Sequence, residues 1–291
     1  MGARGRGKET RSRRWLIILI MAAVLVVLAS LWLLRSAPPA PQAAVSPSAE
    51  EASAPSAAAA PEKLTVKVLS IRPHDAKAYT QGLLLHEGSL FESAGLYGSS
   101  SLREVDPATG EVKRQVAVPS EYFAEGLAAV GDRLIQLTWK EEKAFVYRLA
   151  DFKPAGELRY DGEGWGLAFD GSRLVMSDGS DRLTFRDPQT FAVLGEVRVT
   201  LAGRPLSQLN ELECVDGAVY SNVWQMDQIV RIDPASGRVT AVIDAAGLLT
   251  PAEKQNADVL NGIAWDPARK TFLITGKLWP KMFEVTFVPR P

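Results

Sequence analysis

The chain has one cysteine, Cys214, and two histidines, His74 and His86. A lone cysteine forms no internal disulfide, so the folded part must hold together by packing. With His86 in a tight turn, little is left for a Ser-His-Asp triad or a His-rich zinc site. There is no GxxxxGK[ST] loop to cradle a phosphate. Nor is there an excess of positive charge: 33 basic residues face 34 acidic ones, and the first 60 residues hold more basic than acidic groups. The remainder is therefore net acidic, which argues against a nucleic-acid partner.

What the chain does have begins with a long apolar run. Residues 15–34, "WLIILIMAAVLVVLASLWLL", carry no charge, and about 20 such residues suffice to span a bilayer as a helix. Residues 1–14 form a basic tail, with Arg4, Arg6, Lys8, Arg11, Arg13 and Arg14, which predicts a cytoplasmic N-terminus. Residues 35–61 are mostly Ala, Pro and Ser, the composition of a disordered tether. The expectation is a single-pass protein of the cytoplasmic membrane, with its folded domain, 62–291, on the periplasmic or extracellular side. A cleaved signal peptide, leaving a secreted protein, is the rival reading.

The folded part repeats itself. "TQGLLLHEGSLFES", "AEGLAAVGDRLIQLTW", "GWGLAFDGSRLVMSDG", "NELECVDGAVYSNVW" and "LNGIAWDPARKTFLITGK" align on Leu83, Leu127, Leu167, Leu212 and Ile263, a period of roughly 40–50 residues. Each unit reads as a strand, a Gly- or Asp-rich turn and a second strand. A third strand follows, then "DPATG", "DPQTF" or "DPASG" in three of the five units, then a fourth strand. Asp-Pro presets the first dihedral of such a turn. Four strands in each of five units predict an all-β, five-bladed β-propeller. The last unit lacks its fourth strand, and "KLTVKVLS" before unit one is expected to supply it, since an open unit would expose an unpaired edge. One short helix is expected at 250–257, with Thr250 as N-cap, Pro251 at the first position and Glu253 closing a capping box.

In such a fold the ends of the first and second strands of every unit meet around one mouth. The entering positions are Gln81, Glu125, Trp165, Asn210 with Glu211, and Asn261. The leaving positions are Glu92, Trp139, Asp178, Trp224, and Lys277 with Trp279. Singly, polar residues at strand ends usually meet solvent or cap turns. As a set, carboxylates, amides, a lysine and four tryptophans in two phases of one repeat suit an apolar pocket with a few converging polar groups.

The segments "PHDAKAYTQGL", "FESAGLYGSSSLREV", "GEGWGLAFDG", "MSDGSDRL", "LNELE", "NVWQMDQIVRIDP", "VLNGIAWDP" and "TGKLWPKMFEV" resemble the plant and bacterial glutaminyl-peptide cyclotransferases, over about residues 65–288. One departure is Ala94, where the family pattern leads one to expect Thr. The resemblance implies a five-bladed propeller, unrelated in fold to the zinc-dependent animal enzymes of the same activity. It also implies an enzyme that converts N-terminal glutamine of peptides and proteins to pyroglutamate with loss of ammonia. No cofactor and no metal are expected, and a monomer is.

The reaction is an intramolecular aminolysis, so the site must fix a near-attack geometry, move protons and stabilise an oxyanion. The roles this suggests place Glu92 as the acid/base group, with Glu125 or Glu211 holding the α-ammonium. Gln81, Asn261 and Lys277 would donate hydrogen bonds. Trp139, Trp165 and Trp224 would enclose the glutamine side chain, with Asn210 and Trp279 beside them. Glu92, Glu125 and Lys277 are thus the expected catalytic residues. Two readings of other classes stand alongside: a Ca²⁺-dependent hydrolase or lactonase using the carboxylates with Asn210 or Asn261, and a membrane-tethered peptide-binding module without catalysis.

Overall fold

The computed structural model describes residues 60–290. It opens with a long strand, β1 (Glu62–Pro73), and then follows the repeat. Unit one forms a four-stranded antiparallel sheet of β2 (Thr80–His86), β3 (Ser89–Ala94), β4 (Ser101–Val105) and β5 (Val112–Ala117). Unit two does the same with β6 (Ala124–Val130), β7 (Arg133–Thr138), β8 (Lys143–Arg148) and β9 (Pro154–Arg159). Unit three supplies β10 (Leu167–Phe169), β11 (Leu174–Ser177), β12 (Arg182–Arg186) and β13 (Val193–Arg198). A small hairpin, β14 (Thr200–Leu201) and β15 (Arg204–Pro205), leads into unit four: β16 (Leu209–Val215), β17 (Ala218–Val223), β18 (Gln228–Asp233) and β19 (Arg238–Asp244). Helix α1 (Pro251–Lys254) precedes the last three strands, β20 (Leu260–Asp266), β21 (Thr271–Gly276) and β22 (Lys281–Pro289).

The expected five-bladed propeller, with five separate four-stranded sheets, is corrected by the strand pairing. Among the described residues there are three four-stranded sheets and one ten-stranded sheet. The main path of the large sheet runs β16-β17-β18-β19-β1-β22-β21-β20. Its two end strands, β16 and β20, pack against one another, so these eight strands run round a nearly closed path. The cause is β1. Residues Leu64 to Pro73 pair antiparallel with β22, while Glu62 to Thr65 also pair parallel with β19. One strand with two partners welds units four and five into a single hydrogen-bonded sheet and leaves neither an open edge there.

A second correction concerns the membrane. The expected spanning helix at 15–34 and the basic tail at 1–14 lie outside the described residues, as does nearly all of the linker at 35–61. Among the described residues no helix is long and apolar enough to cross a membrane. The single-pass topology, the membrane as a partner and the periplasmic placement therefore find no spanning helix among the described residues to rest on.

The local signals behave as their chemistry requires. Thr250 accepts from the Glu253 backbone N–H and Glu253 reaches back to the Thr250 N–H, a complete capping box. At the Asp-Pro turns, Asp106, Asp187 and Asp233 each accept from backbone N–H groups two or three residues on. The turns close on a left-handed residue: Gly110, Gly237 and, unexpectedly, Phe191 at φ 64°. Phe191 adopts this costly conformation with its ring buried against Tyr160.

The strand that opens each unit lies against the next: β2 on β6, β6 on β10, β10 on β16, β16 on β20, and β20 on β2. Here the repeated Gly-Leu acquires its reason. A Cβ on Gly82 would run into Leu127, on Gly126 into Leu167 and Gly166, and on Gly166 into the Asn210 carbonyl. Glycine lets neighbouring opening strands approach backbone to backbone. In unit four the same place holds Glu211, whose carboxyl accepts from the N–H of Leu83 at 3.2 Å and of Ile263 at 2.7 Å. It ties three opening strands together. Because the Asn210 carbonyl cannot move aside cheaply, Gly166→Ala is expected to cost at least about 1–3 kcal/mol by overpacking. A lowered urea midpoint at unchanged m-value would show it, and an unaltered midpoint would contradict the close-approach argument.

Candidate active site

The segments entering the opening strands and those leaving the second strands are hydrogen-bonded to each other at one end of the strands. The Trp139 N–H donates to the Phe123 carbonyl at 2.9 Å, the Trp224 N–H to Gln208 at 2.8 Å, and the Lys277 N–H to Val259 at 2.9 Å. There they enclose a cavity of about 220 Å³. From the expected set it brings together Gln81, Glu125, Trp139, Trp165, Asn210, Trp224 and Lys277. Two further lining residues, Tyr79 and Phe123, escaped the sequence reading. Their signal was present: each stands two places before Gln81 or Glu125, and in an extended chain such residues share a face.

Five expected residues lie elsewhere. Asp178 caps its own turn, accepting from the backbone N–H and the hydroxyl of Ser180. Glu92 is buried behind the cavity, accepting from the Thr80 hydroxyl at 2.7 Å and bonded to His74 Nε2 at 3.0 Å, with Arg103 Nη1 at 3.8 Å. The strand register explains the misplacement. Gly95 donates to the Tyr79 carbonyl as Trp139 does to Phe123, so Gly95 is the unit-one counterpart of Trp139. Glu92 pairs with Leu83 as Gln136 pairs with Leu127, three residues short of the mouth. Gly95 has no side chain because Phe123 and Gln81 fill that space. Glu211 is the strand tie described above. Trp279 packs onto Gly276 and donates its indole N–H to the Asp258 carbonyl at 2.8 Å, bracing the turn that carries Lys277. Asn261 sits one layer behind Gln81.

That layer orients Glu125. Asn261 Nδ2 donates to the Thr80 carbonyl at 3.0 Å and to Gln81 Oε1 at 3.3 Å. With its oxygen so engaged, Gln81 turns its Nε2 toward Glu125 Oε1 and donates at 2.9 Å. Two amides in series thus fix one carboxylate.

The electrostatics of the cavity are unusual. Burial pushes the Glu125 carboxyl well above its ordinary range; Lys277 opposes the shift, and Glu163 and Glu141 add to it. Burial likewise lowers the Lys277 ammonium, against the pull of Glu125 and Asp258. Lys277 Nζ lies 4.8 Å from the centroid of the Tyr79 ring, whose hydroxyl donates to Asp258 Oδ2 at 3.0 Å. A carboxyl and an amine whose pKa values are driven toward one another are suited to moving protons at a reaction site. By contrast, Glu92 is held below its ordinary range: burial acts upward, but His74, Arg103 and Thr80 outweigh it. Asn210 lines the cavity with a buried Oδ1 that has no partner among the described residues.

Comparison with known proteins shows the family. A family model described as Glutamine cyclotransferase matches residues 41–287. A glutaminyl-peptide cyclotransferase of Arabidopsis thaliana is 42% identical over 225 residues, covering 76% of this chain and 70% of the relative. The crystal structure of Myxococcus xanthus glutaminyl cyclase superposes with a TM-score of 0.72 at 40% identity, covering 79% of this chain and 100% of that one. The chain belongs to the glutamine cyclotransferase family.

Proposed function

We infer that the cavity around Glu125 is where this enzyme, a glutaminyl-peptide cyclotransferase, closes an N-terminal glutamine to pyroglutamate. The observation that carries the assignment is one buried carboxyl, oriented by Gln81, facing an aromatic cavity that also holds Lys277. The space suits one glutamine side chain and its α-amino group, with the rest of the peptide leaving through the mouth.

Nucleophile and electrophile belong to the same residue, so the first task is conformational. The indoles of Trp139, Trp165 and Trp224 exclude water, the competing nucleophile, and press the side chain back toward its own amine. Glu125 takes a proton from the α-ammonium group. The freed amine attacks the side-chain amide carbon, forming the lactam C–N bond and an oxyanion. Lys277 lies on the same wall and stabilises that charge. Glu125 then returns its proton to the departing nitrogen as the old C–N bond breaks and ammonia leaves. The regenerated carboxylate takes the surplus proton from the lactam nitrogen and passes it to the ammonia, which departs as ammonium. A carboxyl with a raised pKa suits both halves of this exchange, since it accepts and releases a proton without a large penalty either way. Asn210 Oδ1 supplies an acceptor for a substrate N–H.

The assignment is tested by incubating the purified protein with a glutaminyl dipeptide. The expected result is release of one ammonia per dipeptide and loss of the free amino group. A folded protein that left the dipeptide intact would contradict it.

A further inference from the structure

Glu163 does not line the cavity, yet two of its walls depend on it. A single oxygen, Oε2, accepts from the indole N–H of Trp139 at 2.8 Å and from that of Trp165 at 2.9 Å. These indoles anchor two separate aromatic pairs. Phe123 meets Trp139 at 5.6 Å between centroids, and Trp165 meets Trp224 at 5.6 Å in an edge-to-face arrangement. Among the described residues no ring pair joins Trp139 to Trp165. The carboxylate is what connects the two halves of the aromatic wall.

The backbone holds Glu163 at this point. The Gly164 N–H donates to the Trp139 carbonyl at 2.8 Å, and a side chain at 164 would strike the Thr138 carbonyl and the Tyr160 hydroxyl. The segment is thereby drawn against the turn that bears Trp139. On the other side Lys140 Nζ stands 3.6 Å from Glu163 Oε1 and 3.9 Å from the centroid of the Trp139 ring. The carboxyl is held below its usual range: partial burial acts upward, but the bonds from Trp165 and Trp139 and the charge of Lys140 outweigh it. It is therefore a charged acceptor, the stronger kind, for two indole donors that have no lone pair of their own to offer.

We propose that Glu163 is a positioning residue for the cyclisation, seating the Trp139 and Trp165 indoles as the two walls that fold the glutamine side chain onto its own amine. The inference rests on the assignment of this cavity to the reaction. It differs from a simple electrostatic role, in which Glu163 would attract the α-ammonium by its charge alone. For a tethered reaction the wall's placement matters because small errors in near-attack geometry are costly.

Two conservative variants separate seat from charge. Glu163→Asp keeps the charge but withdraws the oxygen by one methylene. Glu163→Gln removes the charge but leaves an acceptor oxygen at the right reach. Both are assayed for kcat and KM on a glutaminyl dipeptide, with near-ultraviolet circular dichroism to report indole packing and melting temperature to report the fold. Glu163→Asp is expected to lower kcat by about tenfold to a hundredfold and to alter the indole bands. Glu163→Gln is expected to stay within about threefold of wild type, since its amide oxygen still accepts from the indoles. The reverse order would overturn the proposal in favour of charge, and wild-type kcat in both variants would overturn it outright. A wild-type protein that released no ammonia would sink the functional reading and this inference with it. An active wild type with an unimpaired Glu163→Asp would sink this inference alone.

Discussion

Glu125→Gln is expected to lower kcat on a glutaminyl dipeptide by about 10²–10⁴, the range that a lost acid/base group accounts for. The amide keeps the shape and can still bond Gln81, so KM should change far less. The activity that remains should rise with pH, because the substrate's α-amine loses its own proton near ~8 and then needs no base. Stability should move the other way from an ordinary active-site knockout. The folded-state pKa of Glu125 lies above the unfolded value, so the folded protein binds more protons between the two and loses stability as pH rises through that window. Glu125→Gln escapes this loss. Its melting temperature should match wild type near pH 4 to 5 and exceed it toward neutrality. Glu92→Gln is the contrast. It uncouples the His74 and Thr80 contacts and should lower the melting temperature more than it lowers kcat. A kcat collapse in a stable Glu92→Gln with full activity in Glu125→Gln would reverse the assignment.

Glu284→Ala is expected to destabilise the fold by about 3 kcal/mol, the lower end of what removing one partner of a buried ion pair costs. Glu284 is fully buried on β22 and accepts from four side chains: Ser70 at 2.8 Å, Arg72 at 2.6 Å, Arg269 at 2.5 Å and Thr271 at 3.1 Å. Ser70 and Arg72 belong to β1, so this carboxylate fastens the strand that joins two units of the large sheet. The lower end applies because Arg269 is more than half exposed and can turn to water. The carboxyl is held down to about 2, burial acting upward and the four donors downward. Its contribution is therefore present above the unfolded carboxylate range and fades as pH falls from about 4 toward 2. The gap in stability between Glu284→Ala and wild type should narrow over that interval. The cavity is formed without these residues, so kcat at ambient temperature should hold. A variant as stable as wild type would show that β1 is held by its backbone pairing alone.

Sequence patterns revealed some parts of this molecule and hid others for definable reasons. The hairpins, the Asp-Pro turns and the capping box at Thr250 are local, and the residues that encode them sit within a few positions of one another. The fusion of two units through β1 is not local. It depends on a strand finding two partners far along the chain, and nothing in "KLTVKVLS" distinguishes a strand with one partner from a strand with two. The same division runs through the site. Most of the entering ring was legible: Gln81, Glu125, Trp165 and Asn210 line the cavity, Asn261 stands one layer behind, and all five lie near the position that glycine holds in four of the five units, where backbone approach forbids drift. The leaving ring was less so, because only hydrogen-bond register, visible in the paired strands, shows that Gly95 and not Glu92 matches Trp139. Glu211 occupies the glycine place and looked like a pocket residue, yet its two backbone donors make it a structural tie. Tyr79, Phe123 and Glu163 share one phase, two places before the entering ring, and that alternation is the clue the linear reading passed over.

Whether the cavity around Glu125 performs the cyclisation is decided by a crystal structure with a non-cyclising N-terminal glutamine analogue bound. The analogue's α-nitrogen is expected within hydrogen-bond reach of the Glu125 carboxyl, about 2.6–3.2 Å, with its side chain among Trp139, Trp165 and Trp224. An analogue bound with its amine at another carboxylate, or outside the cavity altogether, would contradict that assignment.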